Sequence, residues 1–127
     1  MTQEEFLNII IPAAVEAEKK FKIPAEVTVG QAILESGWGK SKLTQRANNL
    51  FGIKAGPEWH ERTLTMVGHE FVHGRMVSVP ISWRAYSSLQ ASIDDHSKFL
   101  LKPRYKSAFE HTNNYEKFFV RNLEKIT

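Results

Sequence analysis

The run Ile33-Leu34-Glu35-Ser36-Gly37-Trp38-Gly39-Lys40-Ser41-Lys42-Leu43 decides how the chain is read. An apolar helical stretch ends on a carboxylate, and that carboxylate is followed by two glycines around a tryptophan. A glutamate in the last turn of a helix faces unpaired carbonyls, which disfavour its negative charge. Apolar neighbours such as Ile33, Leu34 and Trp38 disfavour it further. A carboxyl group kept protonated near neutral pH can serve as a general acid on a glycosidic oxygen. Gly37 and Gly39 then keep side chains off a cleft floor, and Trp38 walls a pocket or stacks on a sugar ring. The residues alone leave a plainer reading open, in which Glu35 is a solvated glutamate at a helix end.

Working outward, Thr2 and Glu5 have capping-box spacing. Phe6, Ile9, Ile10, Ala13 and Ala17 recur at helical intervals, giving a first helix over about 3–20. Pro24 suits the first turn of a second helix that Gly37 stops. Ser41 to Ala47 forms a short helix ended by Asn48 and Asn49. From Arg62 the residues turn to β-type, with His73-Gly74 as the turn of a hairpin and Pro80 marking an edge or an end of its second strand. Ser87 or Ser88 caps a helix carrying Leu89, Ile93, Phe99 and Leu100. Pro103 opens a short helix through Phe109, and Asn113 or Asn114 caps the last one. The expected fold class is α+β, mainly helical with one inserted hairpin, in a single domain over 1–127.

Composition narrows the function classes. The 127 residues are 42% hydrophobic and 24% charged, which suits one packed core. With no cysteine, disulfides and thiolate metal sites are excluded. The net charge of +3 is scattered along the chain and gives no nucleic-acid footprint. No stretch approaches the ~20 apolar residues of a membrane span. The apolar run after Glu4 and Glu5 lacks the basic flank of a signal peptide, so any export signal lies elsewhere or has been removed.

His69-Glu70-Phe71-Val72-His73 matches the H-E-x-x-H pattern of zinc peptidases. That chemistry needs a helix, which brings both histidines to one face. Gly68 and Gly74 bracket the match and its flanks alternate as strands, so the metal reading is rejected and no cofactor is expected.

The segments PAEVTVGQAILESGWGKSKL, NNLFGIKA, WRAYSSLQASIDDHSKFL and KPRYKSAF, in this order around a hairpin bearing Glu70, resemble the family-73 glycoside hydrolases. These are peptidoglycan N-acetylglucosaminidases of the flagellar rod-associated and autolysin types. The resemblance runs over about residues 3–126. It implies a lysozyme-like fold, cleavage of the glycan strand after N-acetylglucosamine, and an extracytoplasmic location, with the chain acting as a monomer or as a module of a larger protein. It places the general acid on Glu35 and a second catalytic glutamate on Glu70. Phe51 and Tyr105 match the family's aromatic positions, and Trp38, Asn49, Trp59 and Tyr86 are further candidates for contacting substrate. For Phe51 and Tyr86 a core role fits the residues equally well. Family members continue into a Gly-Tyr-Ala-x-Asp-Pro stretch that would fall after Thr127, so the expectation is a module truncated at its C-terminus or a short relative. A weakly active glycan-binding module and a lytic transglycosylase are the competing readings.

Overall fold

Thr2 starts the first helix, α1 (Gln3–Phe21), through a reciprocal cap: its Oγ1 accepts from Glu5 N at 3.1 Å, and its own N donates to Glu5 Oε1 at 3.2 Å. The buried stripe of α1 is Phe6, Ile10, Ala13, Ala14 and Ala17. Ile9, expected on that stripe, is exposed on its flank, and Ala14 takes the inward position. Lys22 ends the helix in the left-handed conformation. The computed structural model describes residues 1–102. The helices expected over 103–109 and after Asn113, and with them Tyr105, lie outside the described residues.

The second helix, α2 (Ala25–Ser36), begins one residue later than expected, because Pro24 is its N-cap rather than part of its first turn. Pro24 has no side-chain donor or acceptor for the helix end. Glu18, from the last turns of α1, supplies the acceptor instead and takes the Ala25 N–H at 2.6 Å. Three consecutive residues with positive φ then turn the chain: Gly37 at 57°, Trp38 at 59° and Gly39 at 78°. The short α3 (Lys42–Ala47) follows, capped by Ser41 Oγ, which accepts from Thr44 N, and ended by Asn48 at φ 53°.

The strands β1 (Thr63–Val72) and β2 (Arg75–Arg84) form one antiparallel hairpin, in register from Thr63 opposite Arg84 to Val72 opposite Arg75. His73 and Gly74 both have positive φ, as a tight two-residue hairpin turn requires. Pro80 does not end β2. It sits opposite Val67 in a ladder that has two strands among the described residues, beyond the stretch where residues 53–55 pair with the end of β2, so a missing N–H is tolerated there. One face of the hairpin carries Leu64, Met66, Gly68 and Glu70 with their partners Trp83, Ile81, Val79 and Val77. This face is the more buried one near the base, where Ile81 packs over Gly68 so closely that a Cβ there would collide with it. The opposite face leaves Val67, Phe71 and Met76 largely exposed.

Ser88 caps α4 (Leu89–Leu100), with its Oγ accepting from Ala91 N at 3.1 Å. The main core joins Phe6, Ile10, Ala13 and Ala17 of α1, Ala32 of α2, Ile93 of α4, and Leu50, Phe51 and Ile53 from the segment between α3 and β1. A smaller cluster joins Ile23, Val27 and Leu100.

Candidate active site

Glu35 occupies the last turn of α2, as expected. It is half-buried, and its Oε1 is shielded from solvent without a hydrogen-bond partner among the described residues. Burial raises its pKa above the usual carboxylate range, and no charged neighbour contributes to the shift. Leu34 gives it no apolar cover, because that side chain turns outward and is 56% exposed. Ile33 and Trp38 do pack against the main core.

The glycines after Glu35 have a different task from the one expected. Gly39 does not clear a cleft floor: a Cβ there would come within 2.8 Å of the Phe6 ring, so the missing side chain makes room for the core. Gly37 faces open space, and its φ of +57° is what favours glycine. Trp38 holds a left-handed conformation without that freedom, at a cost of about 1–2 kcal/mol. Its ring meets Phe6 edge-on, with centroids 6.1 Å apart. Ser36 locks the turn, donating Oγ–H to Ala32 O and accepting from Gly39 N at 2.8 Å.

Asn49 and Phe51, both candidates for substrate contact, are buried structural residues. Asn49 Nδ2 donates to Ile53 O and to Arg84 O, each at 2.9 Å, and its Oδ1 accepts from Ile53 N at 3.1 Å. The side chain thus closes its own loop and ties it to the end of β2. Phe51 is fully buried and stacks on His96, ring centroids 3.7 Å apart. Its side chain has no face left for a sugar, and the core reading of the residue stands.

Glu70 lies on β1 opposite Val77, on the same hairpin face as buried Ile81. It is about half exposed, with Oε1 4.0 Å from Lys54 Nζ. His69 points to the other face, its Nδ1 3.4 Å from Ser78 Oγ, and His73 sits in the turn. The H-E-x-x-H match is therefore on strand and turn, not on a helix. Among the described residues no group of three or more His, Cys, Asp or Glu side chains is placed to hold a metal ion.

Trp59 and Tyr86 meet edge-on, ring centroids 5.4 Å apart, and line an open pocket of about 460 Å³ with Asp94, Asp95 and Lys98 among its other walls. Glu58 and Glu61 line this pocket, but Glu35 and Glu70 do not. Behind it stands Arg84, which the sequence reading passed over. Its guanidinium is buried, donates to Glu58 Oε1 at 2.7 Å and to Asp95 Oδ2 at 2.9 Å, and lies 4.8 Å from the Trp59 ring centre. Tyr86 donates its hydroxyl to the same Asp95 oxygen at 2.6 Å, and burial with that bond pushes its pKa up. The signal for this hub was the WRAY run, where an arginine sits between two aromatics at a strand end.

A helical domain with one inserted hairpin and a half-buried carboxyl group at a helix end is a lysozyme-like α+β domain. The chain belongs to the glucosaminidase family described as mannosyl-glycoprotein endo-beta-N-acetylglucosaminidase, whose family model matches residues 11–126. It is 35% identical over 120 residues to the peptidoglycan hydrolase FlgJ of Pseudomonas aeruginosa, covering 91% of this chain and 30% of that protein. It is 33% identical over 120 residues to the exo-glucosaminidase LytG of Bacillus subtilis, covering 90% of this chain and 42% of that protein. This chain therefore spans less than half the length of either relative. A mutant peptidoglycan hydrolase from Sphingomonas sp. A1 superposes with a TM-score of 0.77 at 31% identity, covering 98% of this chain and 82% of that one.

Proposed function

We propose that this domain is a family-73 glycoside hydrolase that cuts peptidoglycan glycan strands at the β-1,4 bond between N-acetylglucosamine and N-acetylmuramic acid. The observation that carries the reading is the state of Glu35: a carboxyl group at a helix end whose burial favours the protonated form. A protonated carboxyl can give its proton to the departing glycosidic oxygen, which makes the sugar a better leaving group. The relatives named peptidoglycan hydrolases support the substrate class.

Glu70 is the second carboxylate of the proposal. It rides on the hairpin face that turns toward the domain, where it activates water or orients the substrate's own acetamido group. Trp38, Trp59, Tyr86 and Tyr105 remain the proposed aromatic contacts for glycan. Because peptidoglycan lies outside the cytoplasmic membrane, the proposed place of action is the periplasm or cell wall. No described helix is long and apolar enough to cross a membrane.

Mass spectrometry of purified peptidoglycan after incubation tests the reading. New reducing ends on N-acetylglucosamine support it. Reducing N-acetylmuramic acid would make the protein a muramidase, anhydro ends a lytic transglycosylase, and an unchanged substrate a glycan-binding module. Fragment size separates internal cutting from the terminal release implied by the name of the Bacillus relative.

A further inference from the structure

Five side chains carry shielded polar atoms without a hydrogen-bond partner among the described residues. These are Thr28 Oγ1, Gln31 Nε2 and Oε1, Glu35 Oε1, both ring nitrogens of His96, and Ser97 Oγ. Thr28, Gln31, His96 and Ser97 are all essentially inaccessible to solvent. Interior polar groups without partners are costly, and most are satisfied by protein atoms or by buried water.

Their placement is not random. Thr28, Gln31 and Glu35 fall at i, i+3 and i+7 on α2, along one stripe. His96 and Ser97 lie on the buried face of α4. Val27 and Leu100 belong to one apolar cluster, and Ala32 and Ile93 to the other. Thr28 and Gln31 therefore lie between the two clusters on α2, as His96 and Ser97 do on α4. Phe51 of the main cluster stacks on His96. Each helix thus sets polar side chains between residues of two apolar clusters, with Glu35 one helical turn beyond Gln31.

We propose that Gln31 and His96 are positioning residues for Glu35: with Thr28 and Ser97 they enclose internal water whose hydrogen bonds fix the inner carboxyl oxygen, Oε1, and leave the outer oxygen and its proton facing the cleft. The donor and acceptor inventory suits this. Gln31 offers two N–H donors and an acceptor, and the hydroxyls offer both roles. Burial pushes the His96 pKa down to about 3, so the imidazole is neutral and supplies one donor and one acceptor. A buried water needs about two to four such partners. A fixed inner oxygen matters because a general acid must hold its proton in line with the leaving oxygen.

Few charges complicate the test. No charged group contributes to the raised pKa of Glu35, the titratable group among these side chains on α4 is the neutral His96, and on the hairpin Glu70 is paired with Lys54. The inference rests on the proposed role of Glu35 as acid, and the measurements are chosen to stand apart from turnover. In the unsubstituted chain, a high-resolution crystal structure should place water within hydrogen-bond reach of Gln31 and His96, and the absence of that water would overturn the proposal. In Gln31→Met, similar in shape but without the donor, the Glu35 side-chain carbon should titrate about one pH unit higher than in the parent, because a donor to the carboxylate favours its charged form. The signal is assigned by its loss in Glu35→Gln, and Gln31→Leu serves if the methionine variant does not fold. An unchanged or lowered pKa in a folded variant would overturn the proposal, whether or not the protein cleaves peptidoglycan. With turnover established, kcat should fall about tenfold at constant KM.

Discussion

Phe6 occupies the space that a side chain at Gly39 would need, and it meets Trp38 edge-on across the same turn. The first helix and the end of the second are thus built around one ring. Gly39→Ala places a methyl group 2.8 Å from that buried ring at a φ of +78°, so conformational strain and overpacking add. Gly37→Ala meets only the strain, since nothing lies within 4 Å of its Cβ. Denaturant titration should show a loss of about 1–2 kcal/mol for Gly37→Ala and a further ~1–3 kcal/mol for Gly39→Ala. Equal losses would mean that Phe6 moves aside freely.

Glu35→Gln should abolish glycan cleavage while leaving the fold and glycan binding intact. Loss of a general acid costs about 10²–10⁴-fold. Turnover near the parental rate on purified cell walls would remove Glu35 from the mechanism.

The same substitution should stabilise the protein near neutral pH. The folded-state pKa of Glu35 is raised, so the folded form binds more protons than the unfolded form between the ordinary carboxylate pKa and the raised one. The parent therefore loses stability as pH rises through that window, and the glutamine variant does not. Thermal melts at neutral pH should place the variant higher, and the gap should close below the ordinary carboxylate pKa. A gap that widens on acidification would contradict the burial of this carboxyl.

Much of the fold was legible because its punctuation is local. Thr2, Gly37, Ser41, Asn48 and the His73-Gly74 turn each declare an end through backbone chemistry that needs no distant partner. The position of Glu35 followed from the same signals. Long-range partnerships were not legible. Nothing near Asn49 in sequence indicates that its amide would bridge to Arg84 O, and Glu18 gives no sign that it caps the next helix. Phe51 shows the limit most clearly: an aromatic beside a glycine reads equally well as wall or core, and only its stack on His96 decides.

Peptidoglycan cleavage should survive EDTA. His69 and Glu70 point to opposite faces of β1 and His73 lies in the turn, so the pattern cannot present two histidines side by side as a helix would. Loss of activity on chelation, restored by zinc, would revive the metal reading.

Glu70 stands near the hairpin tip, where residues 69–76 are all exposed, and its one ionic contact among the described residues is Lys54 at 4.0 Å with both side chains about half in solvent. Such a pair contributes only about 0–1 kcal/mol and does not hold the strand down. Segments with few buried contacts open readily, and lids of this kind close when substrate fills the cleft. In the absence of glycan the Glu35 and Glu70 carboxyl groups should therefore stand farther apart than the ~9.5 Å limit for an inverting pair, and hydrogen exchange over 66–78 should be fast. Exchange there should slow when glycan is added to the inactive Glu35→Gln protein. Glu70→Gln should reduce turnover less than Glu35→Gln, because water or the substrate's acetamido group partly replaces the lost carboxylate. A hairpin that exchanges slowly without ligand, with the two carboxyl groups held within ~5.5 Å, would favour a fixed retaining pair instead.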